Sequence, residues 1–421
     1  MQTLEALFVF CVVWSCGAVI VQRPGSQDRE RFDGFLKSVA GMSTLDSDSV
    51  SAAQLPSKPL YDFFFDIGSK CWKSWKVFVS KYKPPPSGKF ADVVVPTADL
   101  VRSTWILKTI LTADMPCLFV GESGTAKTVA IQRYLHSLDL MTSMVLSLNF
   151  SSRTKSADVQ RGIEDSTEKR SKDTYGPPIG KKLYLFLDDL NMPKVDSYGT
   201  QQPIALLKLM IERGGFYDRS KELNWMKMKD ITCVAAMGPP GGARNDVDPR
   251  FISLFNVFEI QFPSSENLRT IFQSILLGHM TPFKEDIRVA SEQLTDMTLA
   301  IYSFVIEKLP PTPKRFHYIF NLRDLSRVFE GLLRSSPDKF SSTLQFMRLW
   351  RNETLRIFHD RLIDERDKQL LLDQVKGLVQ TRCPSFAEHV IADPILFGDF
   401  KYAASVIGDP KADVVCSTYC A

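Results

Sequence analysis

The sequence lacks the marks of several protein classes. Its five histidines stand isolated, with no His/Cys spacing that would hold a metal through side chains alone. Net charge is only +4, from 52 basic and 48 acidic residues, so no excess of one sign calls for nucleic acid. The cysteines, Cys11, Cys16, Cys71, Cys117, Cys233, Cys383, Cys416 and Cys420, are scattered, several inside apolar runs. They make no disulfide framework and read as the reduced thiols of a cytoplasmic protein. No internal repeat, low-complexity tract or long heptad run is present. Residues 6–21 form one long apolar run, but 16 residues fall short of a membrane span, and no Lys or Arg precedes them as in a signal peptide. They read as a buried helix, with a membrane-targeted chain carrying an N-terminal signal as the lesser alternative.

What remains is an ordinary globular composition, 44% apolar and 24% charged, long enough at 421 residues for two or three domains. One stretch organises the rest. Cys117-Leu118-Phe119-Val120 reads as a buried strand, and Ile131, Tyr134, Leu135 and Leu138 fall on one face of a following helix. Between them lies Gly121-Glu122-Ser123-Gly124-Thr125-Ala126-Lys127-Thr128. Strand, glycine-rich turn and helix beginning Lys-Thr make a phosphate-binding loop, where inward-facing amides and a helix N-terminus favour a polyphosphate. Lys127 is expected on the β- and γ-phosphates and Thr128 on Mg²⁺. Ala126 stands where the pattern has glycine, and alanine resists positive φ.

A second motif follows about 60 residues on, the spacing expected of such a loop. Lys182-Leu183-Tyr184-Leu185-Phe186-Leu187-Asp188-Asp189 is an apolar strand ending in two carboxylates, the Walker B arrangement. Asp188 is the candidate Mg²⁺ ligand and Asp189 the candidate general base. Further strands are expected at 144–150, 231–237 and 257–262, with a hairpin within 213–228. A polar helix is expected at 156–172, and Gln202-Pro203 opens an amphipathic one. Four or more parallel strands alternating with helices predict an α/β core, followed by a helical region over 264–380. Val93-Val94-Val95-Pro96 reads as a strand-like run before a helix at 100–111. A Ser/Asp-rich linker is expected at 43–54, and the aromatic-rich 59–83 as an extended segment packing on the next domain.

These motifs together resemble an AAA+ module, and more narrowly the third module of an axonemal dynein heavy chain. The loop, Asp188-Asp189-Leu190-Asn191-Met192-Pro193-Lys194-Val195-Asp196, Tyr198-Gly199-Thr200-Gln201-Gln202-Pro203-Ile204 and Asp248-Pro249-Arg250-Phe251 carry the resemblance, over about residues 56–400. It implies a P-loop NTPase core, a parallel sheet flanked by helices, with a C-terminal helical lid. The divisions it implies are a helical remnant of the preceding module at 1–50, a connecting segment at 51–92, a large α/β subdomain at 93–263, the lid at 264–398 and an atypical tail at 399–421.

The resemblance also assigns roles. Val95 and Pro96 would line adenine, Arg250 would serve as an arginine finger in trans, and Arg323 would touch the module's own nucleotide. The implied cofactors are ATP or ADP with Mg²⁺. The implied partners are neighbouring modules of the same heavy chain, with microtubules and intermediate and light chains reached only through the whole motor. No nucleic acid or membrane is expected, and the setting is the cytoskeleton of the ciliary axoneme. Gly238 stands where the family has a polar sensor residue. With Ala126 and Asp189, that departure implies slow hydrolysis in a module that regulates a minus-end-directed motor. A nucleotide-locked structural module without hydrolysis stays open as the alternative.

Overall fold

The computed structural model describes residues 2–21, 26–84, 93–220, 222–241, 244–395 and 397. The tail at 399–421 and residues 85–92 of the connecting segment lie outside the described residues. The chain divides into two compact units, one of 1–79 with 97–262 and one of 80–96 with 263–421.

The first unit is built on a five-stranded parallel sheet. Its strands are β1 (Cys117–Val120), β2 (Ser143–Asn149), β3 (Lys182–Asp188), β4 (Ile231–Met237) and β5 (Asn256–Glu259), in the order β5-β1-β4-β3-β2. Helices cover both faces, so the central strands are nearly unbroken apolar runs rather than alternating ones. Alternation survives as a division of labour. Leu185 and Leu187 of β3 join the cluster beneath α5 (Ser156–Asp165) and α6 (Gln202–Arg213), while Tyr184 and Phe186 join the opposite cluster beneath α3 (Ala98–Thr112) and α4 (Lys127–His136). The expected hairpin is present, Gly215–Tyr217 antiparallel to Trp225–Met228, and joins a small second sheet.

Residues 2–78 pack within this unit. The apolar run at the N-terminus is helix α1 (Gln2–Ser15), whose Ala6, Val9, Phe10 and Val13 are buried. Among the described residues no helix is long and apolar enough to cross a membrane. Helix α2 (Asp28–Ala40) follows. The stretch expected as linker and extended segment instead folds. Ser49–Ser51 and Phe63–Asp66 flank Cys71–Ser74 in a three-stranded antiparallel sheet. The reason lies in the aromatics: Phe63, Phe65 and Trp72 turn inward, and Phe64 meets Trp105 of α3 with ring centroids 5.0 Å apart. Such a period-2 pattern makes a strand once a partner strand is available.

The second unit is helical: α8 (Ser265–His279), α9 (Glu285–Lys308), α10 (Leu322–Leu332), α11 (Thr343–Thr354) and α12 (Glu365–Arg382). Its core includes Phe272 stacked on Phe329 at 4.4 Å, and Trp350 donating its indole N–H to Thr298 Oγ1 at 2.8 Å. The strand expected at Val93–Pro96 is absent. Pro96 has no N–H to give a ladder, and Val95 is committed to this helical core.

Candidate functional site

Three strands of the parallel sheet end side by side, and their carboxyl ends carry the motif residues. In open α/β sheets this edge is where ligands bind. The loop after β1 turns tightly because Gly124 adopts φ 89° and because Gly121 carries no Cβ: one built there would stand 2.3 Å from the Ile260 carbonyl oxygen. Ala126 takes the glycine position at φ 61°, ψ 20°, just before α4 begins at Lys127. Ala126 thus adopts the left-handed conformation that favours glycine, at a steric cost of about 1–2 kcal/mol for a residue with a Cβ. The first turn of α4 leaves amides with no intrahelical acceptor, facing the loop's interior.

Lys127 folds back over the loop. Its ammonium donates to the carbonyls of Gly121 at 2.8 Å and Glu122 at 2.7 Å and to Thr125 Oγ1 at 3.2 Å. Burial pulls its pKa down to about 8, and the nearby Arg244 guanidinium pulls the same way, against Asp188, Asp189 and Glu122.

Thr128 and Asp188, 60 residues apart, meet directly. The Thr128 hydroxyl hydrogen-bonds the Asp188 carboxylate, with Oδ1 at 3.1 Å and Oδ2 at 3.0 Å. Burial raises the Asp188 pKa, opposed by the Thr128 hydrogen bond and reinforced by Asp189. Two hard oxygen donors beside an open loop fit Mg²⁺, which keeps most of its shell for phosphate and water. Asp189 is exposed at φ 52°, a conformation Asp tolerates, and its N–H donates to Asp188 Oδ1 at 3.1 Å.

Beyond Asp189 the backbone is anchored. Asn191 is 1% exposed; its side-chain NH₂ donates to the Gly238 carbonyl at 2.8 Å, and its own carbonyl accepts from Asn245 N at 2.9 Å. Asn245 in turn donates its side-chain NH₂ to Pro193 O at 2.9 Å. Two residues here escape sequence reasoning, Asn191 and Arg244. The signal for Asn191 is its place in Asp-Asp-Leu-Asn just past the strand; Arg244 carries no local signal.

Not every sequence-predicted residue joins this cluster. Arg250 lies on the surface of the same unit, in the short helix α7 (Pro249–Ile252), and its backbone N–H donates to the N-cap Asp248 at 2.9 Å. Val95, Pro96 and Arg323 belong to the helical unit. There Val95 is buried in the core, Pro96 is half-buried and Arg323 is exposed on the first turn of α10. Among the described residues no group of His, Cys, Asp and Glu could hold a metal by itself.

Family models match in chain order: a dynein heavy chain AAA lid domain over residues 1–77, a P-loop containing dynein motor region over 82–263 and an AAA+ lid domain over 294–397. The chain is 62% identical over 402 residues to the dynein-1-alpha heavy chain of the flagellar inner arm I1 complex of Chlamydomonas reinhardtii, across 95% of its own length. It is 50% identical over 417 residues to human dynein axonemal heavy chain 10, and 35% identical over 414 residues to human dynein axonemal heavy chain 2. In each case the match spans 9% of the relative's length. With AAA+ core and lid in place and these relatives matched across nearly all of it, the chain belongs to the axonemal dynein heavy chain family.

Proposed function

We propose that this chain carries an ATP-binding AAA+ module, the third of a dynein heavy chain, which holds Mg²⁺ with ATP or ADP and regulates an axonemal microtubule motor. The observation that carries the reading is the meeting of Thr128 with Asp188 at 3.0 Å beside a loop whose half-buried Lys127 hydrogen-bonds only neutral oxygens. Lys127 would contact the β- and γ-phosphates, and the amides from Glu122 to Thr128 would cradle them. Thr128 and Asp188 would hold Mg²⁺, which neutralises phosphate charge when bound. Asp189 would accept a proton from water. Arg250, exposed on the short helix after Pro249, would serve the nucleotide of a neighbouring module. Microtubules and intermediate and light chains would be engaged through the rest of the motor, in the cilium or flagellum.

Lys127→Ala is expected to abolish binding of a fluorescent ATP analogue without unfolding the chain; unchanged binding overturns the reading. A second reading, a nucleotide-locked module without hydrolysis, is favoured by Asp189, one methylene shorter than the usual glutamate and so of poorer reach. Single-turnover hydrolysis by the wild type, set beside Asp189→Asn, separates the two: a rate that Asp189→Asn does not lower supports locking.

A further inference from the structure

Gly238 directly follows β4, beside the phosphate loop, since the preceding residue's carbonyl accepts from Gly121 N at 3.3 Å. The residue has no side chain to fill the space beside its Cα. That space is filled from elsewhere. A Cβ built on Gly238 would stand 2.5 Å from Arg244 Cζ, 2.6 Å from Nη1 and 2.8 Å from Nε. The missing side chain and the guanidinium therefore occupy one volume. The loop delivers Arg244 there by folding back on itself: Gly241, at φ 131°, and Arg244 exchange both backbone hydrogen bonds at 3.1 Å. Asn191 then ties both ends down, through its bonds to Gly238 and Asn245.

The charge arrangement is unusual for a structural arginine. Arg244 makes no ion pair among the described residues and is half-buried. It stands close enough to lower the proton affinity of Lys127, itself bonded only to neutral oxygens. Two cations held near each other repel unless an anion is shared between them, and a planar guanidinium binds phosphate oxygens in a two-pronged fashion.

We propose that Arg244 is a binding residue of this same site, supplied in cis, whose guanidinium contacts the terminal phosphate of a nucleoside triphosphate in place of the side chain absent at Gly238. The inference rests on the phosphate-loop reading above and adds to it a discrimination: Arg244 favours triphosphate over diphosphate.

The test is equilibrium titration of the 421-residue chain with fluorescent Mg-ATP and Mg-ADP analogues, in the wild type, Arg244→Ala, Arg244→Lys and Lys127→Ala. Wild type is expected to prefer the triphosphate. Arg244→Ala should weaken ATP about tenfold and leave ADP within about twofold, as expected for loss of one charge-assisted contact. Arg244→Lys, which keeps the charge without the fork, should fall between and guards against a misfolded alanine variant. Equal losses for both nucleotides, an unchanged ATP-to-ADP ratio in folded variants, or no triphosphate preference in the wild type overturns the assignment of Arg244. A wild type that binds neither nucleotide, or Lys127→Ala that binds both, instead overturns the phosphate-loop reading, and the assignment of Arg244 with it.

Discussion

Two pairs of buried or half-buried cations in the α/β unit have opposite surroundings. Beside the carboxyl end of edge strand β5, Arg29 of α2 is saturated. It pairs with Glu259 at 2.7 Å, donates to the carbonyls of Ile20 at 3.0 Å and Glu259 at 3.2 Å, and lies over the Tyr61 ring at 4.8 Å. Arg102 beside it pairs with Asp99 at 2.7 Å and donates to the Tyr61 carbonyl at 3.3 Å. At the phosphate loop, on the same carboxyl edge, Lys127 hydrogen-bonds carbonyls and a hydroxyl, and Arg244 has no carboxylate partner among the described residues. A cation whose partners are all built into the fold is structural, since removing water from it is offset on the spot. A cation left with neutral partners in the same unit is costly, and such cost persists where it serves a ligand. The difference separates what clamps residues 2–78 onto the sheet from cations that the described residues leave without an ion pair.

The largest effect should come from breaking the saturated side. Arg29→Met strands Glu259, whose side chain is 11% exposed and whose pKa burial already raises. The expected loss is about 3–5 kcal/mol of stability in chemical denaturation. Adding Glu259→Leu should recover much of it, because a buried pair replaced by apolar residues of similar volume is often neutral. A loss below about 1 kcal/mol in Arg29→Met would place this pair with ordinary surface bridges and remove the contrast.

The unsaturated side should show in pH dependence. The folded Lys127 value of about 8 lies below its ordinary 10.5. The unfolded chain then binds more protons between those values, so stability without nucleotide rises with pH across that window. Nucleotide binding runs the other way. Phosphate favours the ammonium, so binding takes up a proton above pH about 8, and affinity should fall by up to about tenfold per pH unit there. A flat affinity profile from pH 7.5 to about 10 would mean that Lys127 keeps an ordinary proton affinity.

Much of the phosphate-loop site was legible in the sequence, because its parts are local. An apolar run with glycines and Lys-Thr behind it specifies strand, loop and helix within a dozen residues, and the strand ending in Asp188-Asp189 is as compact. The pairing of Thr128 with Asp188 needed only the assumption of one sheet. Arg244 was not legible as a site residue for the opposite reason. Gly238 could be seen to lack a side chain, but not that a residue six positions on folds back into the gap, which depends on the Gly241–Arg244 turn and the anchor at Asn191. The sheet formed by 49–51, 63–66 and 71–74 was hidden similarly. Its alternating aromatics were visible, but its short strands sit among Ser, Asp and Pro residues that read as linker. Val93–Val95 erred the other way: three valines carry strand propensity, yet Pro96 follows and the helical core takes Val95, so tertiary packing prevails.

The smallest effect tests whether all exposed cations near this edge belong to one site. Arg250 follows Pro249 in Asp248-Pro249-Arg250-Phe251, where φ is fixed immediately before it. Asp248 caps α7 through Arg250 N at 2.9 Å and is itself held by Lys208 Nζ at 3.0 Å, so the backbone under Arg250 is firm. Its side chain, by contrast, is exposed, and its charge acts on the neighbouring Asp248 carboxyl. A stiff backbone leaves only side-chain entropy to be lost on docking, and an exposed guanidinium suits contact with something outside this unit. Lys127 and Arg244 interact electrostatically, whereas Arg250 is absent from the charges that act on Lys127. Arg250→Ala is therefore expected to change stability by no more than about 0.5 kcal/mol, as for a surface substitution. Nucleotide affinity at Lys127 should stay within about twofold, in contrast to the loss expected from Arg244→Ala. The same change in a complete heavy chain should alter nucleotide retention at the neighbouring module and slow microtubule gliding. If Arg250→Ala weakens local ATP binding tenfold in a folded chain, about 1.4 kcal/mol, Arg250 reaches its own loop, and the division between a cis arginine at 244 and a trans arginine at 250 fails.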